Sequence, residues 1–314
     1  MKNDADFSVP IAGVGSDLAV PIEVAQYAAE PPQLGVGRPG KVGVLQVELA
    51  PSGGATRILR SFHRVPLQVL KALYCEPARP DLAFIYIASP TGGVLQGDRL
   101  STEIVARPGS RAHVTTQAMT KVYRMAYGYA SQRVRLRAEV GSYLEYLPDP
   151  TIPFRGARYY QEISLERAPG ATLVGWDILL PGRVAAAEAF DYDVVYLNTR
   201  GEDLEGQCLF QDVMLLEPGR RRPGAIGLLG PYAVVGSLFV LCDATHVHQL
   251  VDTLAGMSVE RDTLLGATAL PNRSGAMARV VSSTTAGAQK ALVAAWAAAR
   301  TLLVGEGLPE LRKY

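Results

Sequence analysis

The stretch KVGVLQVEL, residues 41–49, carries the pattern on which the fold prediction rests. Its even-numbered positions read V, V, Q and E, and they alternate with G, L, V and L at the odd-numbered positions. Successive side chains of a β-strand point to opposite faces, so a period of two is typical of a strand. We therefore predict that a strand begins near Lys41.

Further segments of strand-like texture follow at short intervals, with turn residues between nearly all of them. The 31 glycines and 21 prolines of the chain provide for many turns. Such regular spacing predicts an all-β sandwich or stacked-sheet domain rather than alternating βα units. The candidate strands lie at residues 55–59, 83–88, 101–106, 112–116, 134–139, 142–147, 159–166, 172–179, 193–197, 207–215, 233–242 and 278–282.

Two helical patterns lie in the C-terminal quarter. Residues 246–256 predict a helix capped by Asp243 or Thr245, and residues 286–304 predict a stronger one. We expect the apolar stripe of the second helix to pack on its own sheet. An apolar face near a chain end also makes this helix the first candidate for a partner-binding surface. The stripe consists of Leu292, Trp296, Ala299 and Leu303.

The first 40 residues differ in texture from the rest of the chain. They contain five prolines and scattered glycines, which predicts an extended arm with a short helical turn near residues 23–29. Residues 41–314 are expected to form a single β-rich domain.

Composition excludes several classes of protein. Hydrophobic residues make up 48% of the chain, which excludes a disordered protein. Lys and Arg number 31 against 30 Asp and Glu, so the basic excess that nucleic-acid binding needs is missing. Residues 223–242 carry no charge, but glycines and a proline divide them into pieces too short to span a bilayer. Neither a nucleic-acid partner nor a membrane segment is expected.

The cysteines and the N-terminus predict a cytoplasmic protein. Cys75, Cys208 and Cys242 are odd in number and far apart, so no disulfide framework is expected and a reducing compartment fits best. The first residues lack the basic and apolar regions of a secretion signal.

Four stretches combine polar residues with apolar surroundings, and four acids stand in them. Their structural interpretation is that the carboxylates bond turn backbone or pair with Arg99, Arg124, Arg155 or Arg183. Their functional interpretation is that rigid loops hold the carboxylates for chemistry. The stretches are SPTGGVLQGDRL (89–100), TTQAMTKVYR (115–124), LEYLPDPTIPF (144–154) and GRVAAAEAF (182–190). The acids are Asp98, Glu145, Asp149 and Glu188.

One local cluster of borderline metal ligands occurs outside these stretches. It contains His246 and His248, with Cys242 and Asp243 just before them. On a strand the two imidazoles would share a face and could bind nickel or zinc. On a helix they would diverge by about 200°. We favour solvent-exposed histidines and keep the metal site as the weaker alternative.

The four stretches, in this order and spacing, resemble the family of the urease accessory protein UreD, called UreH in some systems. The resemblance covers roughly residues 40–305. Two positions depart from the family pattern, since Gln96 replaces a usual glycine and Ala186-Ala187 replaces a usual Arg-Gly. The His246 and His248 cluster lies outside the shared stretches.

The resemblance implies a mainly β protein of stacked antiparallel sheets, like a sandwich or β-helix, with a few C-terminal helices. It also implies a scaffold and metallochaperone rather than an enzyme. Such a protein binds UreF, and through it the GTPase UreG, and docks on the urease apoprotein so that nickel can enter. A 2:2 hetero-oligomer with UreF is the expected assembly, and a 1:1 assembly stays open.

Nickel in transit needs ligands that attract a divalent cation and release it again. Scattered carboxylates suit this role better than a closed Cys/His cage. Asp98, Glu145, Asp149 and Glu188 are therefore the predicted transient nickel ligands, and no tightly bound cofactor is expected.

Two other functions stay open at this point. A β-sandwich hydrolase would use Glu145 or Asp149 with Glu188 as an acid and base pair. A plain interaction module would hold partners together without touching metal. No GxSxG motif supports a serine nucleophile.

Overall fold

The computed structural model describes residues 20–28, 40–309 and 311, which form three α-helices and 18 β-strands. The helices are α1 (Ile22–Ala25), α2 (Ala244–Ala255) and α3 (Thr285–Val304). The strands are β1 (Val42–Ser52), β2 (Ala55–Arg64), β3 (Ala83–Ile87), β4 (Arg99–Ala106), β5 (Arg111–Thr116), β6 (Thr120–Val122), β7 (Ala130–Ala138), β8 (Tyr143–Tyr146), β9 (Thr151–Pro153), β10 (Arg158–Arg167), β11 (Thr172–Leu179), β12 (Gly182–Arg183), β13 (Glu188–Ala189), β14 (Val194–Asp203), β15 (Cys208–Leu216), β16 (Val234–Leu241), β17 (Thr263–Ala269) and β18 (Gly275–Ser282).

Two large sheets are stacked face to face. Sheet A has the strand order β15-β14-β10-β7-β4-β1-β2, and sheet B has the order β17-β18-β16-β11-β8-β5-β3, with β6 and β9 beside this path. The chain alternates between the sheets, so that each coil adds one strand to each of them. The predicted mainly β class with stacked, β-helix-like sheets is confirmed.

The expected antiparallel pairing holds only toward the ends of the sheets. In sheet A, neighbours from β1 through β4, β7 and β10 to β14 pair in parallel, and β3, β5, β8 and β11 do the same in sheet B. A chain that coils in one sense enters each sheet in the same direction every time, which makes these neighbours parallel. Antiparallel pairs occur at β1–β2, β14–β15, β11–β16, β16–β18 and β17–β18.

The main core lies between the two sheets. Leu45, Val47 and Leu49 of β1 point into it, as the period of two in residues 41–49 predicts. Side chains from the inner faces of both sheets fill the space, and burial of their apolar area drives the stacking.

A second core lies between the outer face of sheet B and the helices α2 and α3. Of the predicted stripe, Leu292, Trp296 and Ala299 are buried there, so this face of α3 packs on its own sheet and is not open to a partner. Thr284 caps α3 by accepting the Gly287 N–H at 3.1 Å, and Gly305 ends it in the left-handed region.

The N-terminal region is described only in part. Helix α1 packs through Val24 against Tyr160 and Val194 on the outer face of sheet A, near the predicted helical turn. The rest of the predicted extended arm, residues 1–19 and 29–39, lies outside the described residues. Among the helices of the described ranges, none has the length and apolar character needed to cross a membrane.

Candidate functional site

Asp98 lies in the turn that leads into β4. It is 1% exposed, and both carboxylate oxygens accept backbone N–H groups. Oδ1 accepts from Lys41 at 2.9 Å and from Gly40 at 3.2 Å, and Oδ2 accepts from Leu95 at 2.8 Å. These bonds join the start of β1 to the turn, so they favour the structural interpretation of Asp98.

Glu145 of β8 is fully buried on the outer face of sheet B, beneath α3. Its Oε1 accepts from Trp296 Nε1 at 2.7 Å and from the Tyr143 hydroxyl, and its Oε2 lies 2.7 Å from His113 Nδ1. Burial acts to raise the pKa of Glu145, but His113, Arg300 and Trp296 outweigh it and hold the pKa below its usual value. The carboxylate is therefore ionised inside the protein.

Arg300 extends this cluster, which we call the Glu145 network. Its Nη1 lies 3.4 Å from Glu145 Oε2, and its Nη2 donates to both oxygens of Glu76 at 3.0 and 2.9 Å. The network thus ties α3 to β8 and to the segment before β3. Its members lie up to 224 residues apart in sequence, so no local pattern indicates the pairing.

Asp149 lies beside a cavity between the two sheets. Its backbone N–H donates to Thr116 Oγ1 at 2.8 Å, and that hydroxyl donates to Asp149 Oδ2 at 3.3 Å. Thr116 lines the cavity, which has a volume of about 130 Å³. Residues of the first two polar stretches form much of its wall, including Gly93, Val94, Gln117, Met119 and Lys121.

Polar side chains continue from this cavity along the inner faces of the sheets. Gln132 and Tyr146, on opposite sheets, both line the cavity. The Tyr159 hydroxyl donates to Gln132 Oε1 at 2.7 Å and to Gln161 Oε1 at 3.2 Å. The strand register places Thr199 diagonally beside Gln161 on the same face.

The polar residues reach the far side of the interior through β11, β16 and β18. Asp177 lies opposite Ser237, and Ser237 lies opposite Arg279. Arg279 Nη2 donates to both carboxylate oxygens of Asp212, on the other sheet, at 2.7 and 2.8 Å. This last pair is partly exposed. We call the set from Gln132 to Arg279 the polar series; its members are Gln132, Tyr146, Tyr159, Gln161, Asp177, Thr199, Asp212, Ser237 and Arg279.

Asp177 is the carboxylate that sequence reasoning missed. Burial raises its pKa from 3.8 to about 6, although Arg279 acts in the opposite direction. The nearby Ser237 and Thr199 hydroxyls also act to lower this pKa, but Asp177 Oδ1 and the Ser237 hydroxyl make no hydrogen bond of normal geometry to a described residue. A buried carboxylate with one poorly bonded oxygen is costly, which suggests a role other than stability. The sequence feature that could have indicated Asp177 is its position as a single acid inside the apolar run of residues 172–180.

Glu188 lies in the small β12–β13 hairpin. Both of its oxygens accept from Arg183, at 2.8 Å from Nε and 2.7 Å from Nη2. This ion pair holds the pKa of Glu188 below its usual value. The Arg183 guanidinium also lies 4.3 Å from the centre of the Phe154 ring. The predicted pairing of Glu188 with an arginine is therefore present.

His246 and His248 lie on α2, not on a strand. Both are exposed, and His248 Nδ1 lies 2.7 Å from Asp252 Oδ2 one turn later. The two rings therefore diverge as predicted for a helix. Within the described parts of the chain, no three His, Cys, Asp or Glu side chains are grouped closely enough to hold a metal ion.

Comparison with known proteins decides the family. Residues 41–313 match the family described as "UreD urease accessory protein". The chain belongs to the UreD family. It is 39% identical over 295 residues to Urease accessory protein UreD 2 of Streptomyces griseus, an alignment that covers 92% of this chain and 100% of that protein.

Other organisms carry similar UreD proteins. Urease accessory protein UreD of Cenarchaeum symbiosum is 38% identical over 282 residues, covering 90% of this chain and 99% of its own length. That of Photorhabdus laumondii is 33% identical over 291 residues, covering 92% and 91%. The UreD resemblance stated from the four stretches is confirmed, and membership implies a role in urease maturation.

The two departures from the UreD pattern have structural consequences. Gln96 Oε1 accepts the N–H groups of Ala126 at 2.7 Å and Tyr127 at 3.1 Å, so its side chain organises the loop before β7. Ala187, the second alanine of the other departure, adopts φ 56° and ψ 36°. This left-handed conformation favours glycine, so the alanine is strained there.

The geometry gives little support to the hydrolase alternative. Glu145 is sealed beneath α3, and Glu188 is held by Arg183 in a separate hairpin. UreD proteins are accessory proteins, which fits a protein that is not an enzyme.

Proposed function

We propose that this chain is a scaffold for nickel insertion into apo-urease and that nickel passes between its two sheets. The observation that carries the proposal is the cavity beside Asp149 together with the polar series that leads from it to Asp212. Family membership supports the urease context. Binding of UreF, recruitment of UreG, a 2:2 assembly with UreF and a cytoplasmic location belong to the same proposal and rest on the UreD resemblance.

The chemistry of the polar series suits a cation in transit. A divalent ion that must be released cannot meet a closed set of three or four strong ligands. The series instead offers hydroxyl and amide oxygens with single carboxylates spaced between them. Ni²⁺ would therefore exchange one or two protein ligands at a time and keep water in its other positions.

The predicted ligands differ in how well they suit this route. Asp149 contacts the cavity wall through Thr116, and Asp177 lies between the sheets with one oxygen that makes no hydrogen bond of normal geometry to a described residue. Asp98 and Glu145 are saturated by hydrogen bonds away from the cavity, and their contacts favour structural roles. We propose Asp149 and Asp177 as the carboxylates that nickel meets, with Glu188 retained as a candidate outside the series. Both oxygens of Asp212 are held by Arg279, so Asp212 ends the series as an ion pair.

The test uses the chain co-expressed with UreF, UreG and the urease apoprotein. Asp149→Asn and Asp177→Asn each remove one negative charge with little change of shape. We expect the complex to assemble as in wild type by gel filtration, while nickel per urease and urease activity fall. Asp252→Asn on the exposed face of α2 is the matched control and is expected to leave both unchanged.

Two outcomes would decide against the route. Full nickel content and activity in both interior variants would favour the plain interaction module. Loss of assembly in the same variants would place the effect on partner binding rather than on the passage of nickel.

A further inference from the structure

Both carboxylate oxygens of Glu188 are held by one arginine. The β12–β13 hairpin places Arg183 directly opposite Glu188, and the guanidinium donates to the two oxygens at 2.8 and 2.7 Å. The backbone nitrogen of Arg155 lies 3.5 Å from Oε2, which is a long contact. A nickel ion would have to displace a bidentate arginine to bind this carboxylate, and such charge-assisted pairs are strong. Any effect of Glu188 on the cavity must therefore pass through the residues around it.

A series of stacked side chains leads from this ion pair toward the cavity. The central carbon of the Arg183 guanidinium lies 4.3 Å from the centre of the Phe154 ring. The Phe154 ring meets the Tyr123 ring edge to face, with the two centres 4.9 Å apart. Cation–π and edge-to-face contacts each favour particular geometries, so each member orients the next. We call Glu188, Arg183, Phe154 and Tyr123 the Glu188 stack.

The far end of the Glu188 stack packs against the wall of the cavity. Gly92 and Gly93, which we call the glycine wall, both line the cavity, and so does Lys121. A Cβ on Gly93 would lie 2.7 Å from Tyr123 Cε2 and 2.4 Å from the Lys121 carbonyl oxygen. The absence of a side chain thus lets the wall approach the Tyr123 ring closely. The position of this ring therefore limits where the glycine wall can lie.

Backbone hydrogen bonds join the same elements into one unit. The Val94 N–H donates to the Lys121 carbonyl at 2.7 Å, and the Tyr123 N–H donates to the Val94 carbonyl at 3.0 Å. The Phe154 N–H donates to the Val122 carbonyl at 2.9 Å, and β6 pairs with β9 in parallel. These bonds fix which segments are neighbours. The side chains of the Glu188 stack fix where the Tyr123 ring lies against the glycine wall.

We propose that Glu188 is a positioning residue for the cavity, which holds the glycine wall in place through the Glu188 stack. This role rests on the proposed function, because the nickel route begins at the same cavity. It gives Glu188 a part in the route without contact with the metal. Arg183 suits the arrangement because a planar guanidinium can bind a carboxylate with two hydrogen bonds and lie on an aromatic ring, whereas an ammonium group is a point charge.

The experiment measures amide hydrogen exchange in the full chain, purified with UreF where that is needed. The amides of Val94 and Tyr123 report opening of the glycine wall, and amides of β10 report the stability of the whole fold. We expect Glu188→Gln, Arg183→Lys and Phe154→Leu each to speed exchange at the wall at least about fivefold, with β10 as in wild type. Arg183→Lys keeps the charge, so it tests geometry rather than net charge.

Two control variants separate the Glu188 stack from general effects. Phe154→Tyr keeps the aromatic ring and is expected to restore slow exchange at the wall. Asp191→Asn makes the same carboxylate-to-amide change in the exposed ion pair with Arg155, and wall exchange is expected to stay as in wild type. Unchanged wall exchange in Glu188→Gln and Phe154→Leu, or equal acceleration in Asp191→Asn, would overturn the proposal. Equal acceleration of β10 and the wall would also overturn it, because Glu188 would then act on the whole fold.

Nickel per urease in the co-expressed complex separates this proposal from the route itself. The three stack variants are expected to lower it, as Asp177→Asn does. Faster wall exchange with full nickel content would support the positioning role and count against the route. Unchanged wall exchange with lowered nickel content would overturn the positioning role and leave the route standing.

Discussion

Replacement of Asp177 by Asn is expected to stabilise the protein and impair its function. Asp177 lies between the sheets, where burial raises its pKa from 3.8 to about 6. Between these two values the native protein holds a proton that the unfolded chain has released. Stability therefore falls as pH rises through this window, and the loss is complete above pH 6. Asn cannot ionise, so the variant escapes this loss.

The magnitude follows from the shift. One pKa unit corresponds to about 1.36 kcal/mol, so a rise from 3.8 to about 6 corresponds to about 3 kcal/mol. We expect Asp177→Asn to raise the free energy of unfolding by about 3 kcal/mol at pH 7.5. At pH 4 the native carboxyl is protonated and the unfolded one is only a little more than half ionised, so the gain should fall to about 0.5 kcal/mol.

Equilibrium urea unfolding at the two pH values measures this gain, and the two buried tryptophans, Trp176 and Trp296, report it by fluorescence. Asp252→Asn, which removes an exposed carboxylate, controls for the change in net charge and should shift stability by less than about 0.5 kcal/mol. A variant no more stable than wild type at pH 7.5, or one equally stabilised at both pH values, would refute the reasoning. Under the proposed nickel route, the same substitution lowers urease activation, so stability and function change in opposite directions.

Three further predictions concern single contacts. Ala187→Gly removes the strain of a left-handed alanine and should raise the free energy of unfolding by about 0.5–1 kcal/mol. Ala185→Gly lies in the same turn but has no positive φ, so it should lower the free energy of unfolding by a similar amount. Equal effects of the two substitutions in thermal unfolding would contradict the strain argument. Glu145→Gln removes the buried negative charge that His113 and Arg300 face, leaves Arg300 paired with Glu76, and should cost about 1.5–3 kcal/mol in urea unfolding; a cost below about 1 kcal/mol would mean that the Glu145 network is not structural. Gln96→Ala removes two hydrogen bonds to the loop before β7 and should cost about 1 kcal/mol, with faster amide exchange at residues 126 and 127; unchanged exchange there would show that the loop holds its shape without Gln96.

Local sequence patterns predicted most of the elements of the fold. The period of two in residues 41–49 predicted β1, and the apolar spacing in residues 286–304 predicted α3 and the face it buries. The parallel direction of the inner strands was not predicted. Strand direction depends on how the chain coils, and the alternation of apolar and polar residues in a single strand is the same in a parallel and an antiparallel pair.

The candidate site was predicted less completely than the fold. The first two polar stretches line the cavity, and Asp149 lies beside its wall. Asp98 stands in the first stretch and Glu145 in the third, beside Asp149, yet they bond turn backbone and α3 instead. Polarity along the chain indicates that a residue has a partner, but it does not indicate whether the partner is a backbone amide, an arginine or a passing ion.

The sequence by itself determined the strands, the C-terminal helices and the UreD family. The strands and helices follow from the pattern of residues close together in the sequence, and the family follows from motifs in a fixed order. Only the tertiary structure decided which acids meet which partners. Asp177 joins Ser237 and Arg279 through the register of three strands, and Glu145 meets Arg300 because α3 folds back over sheet B. Contacts between residues so far apart depend on the coiling of the whole chain, since burial of the two cores fixes where each strand and helix lies.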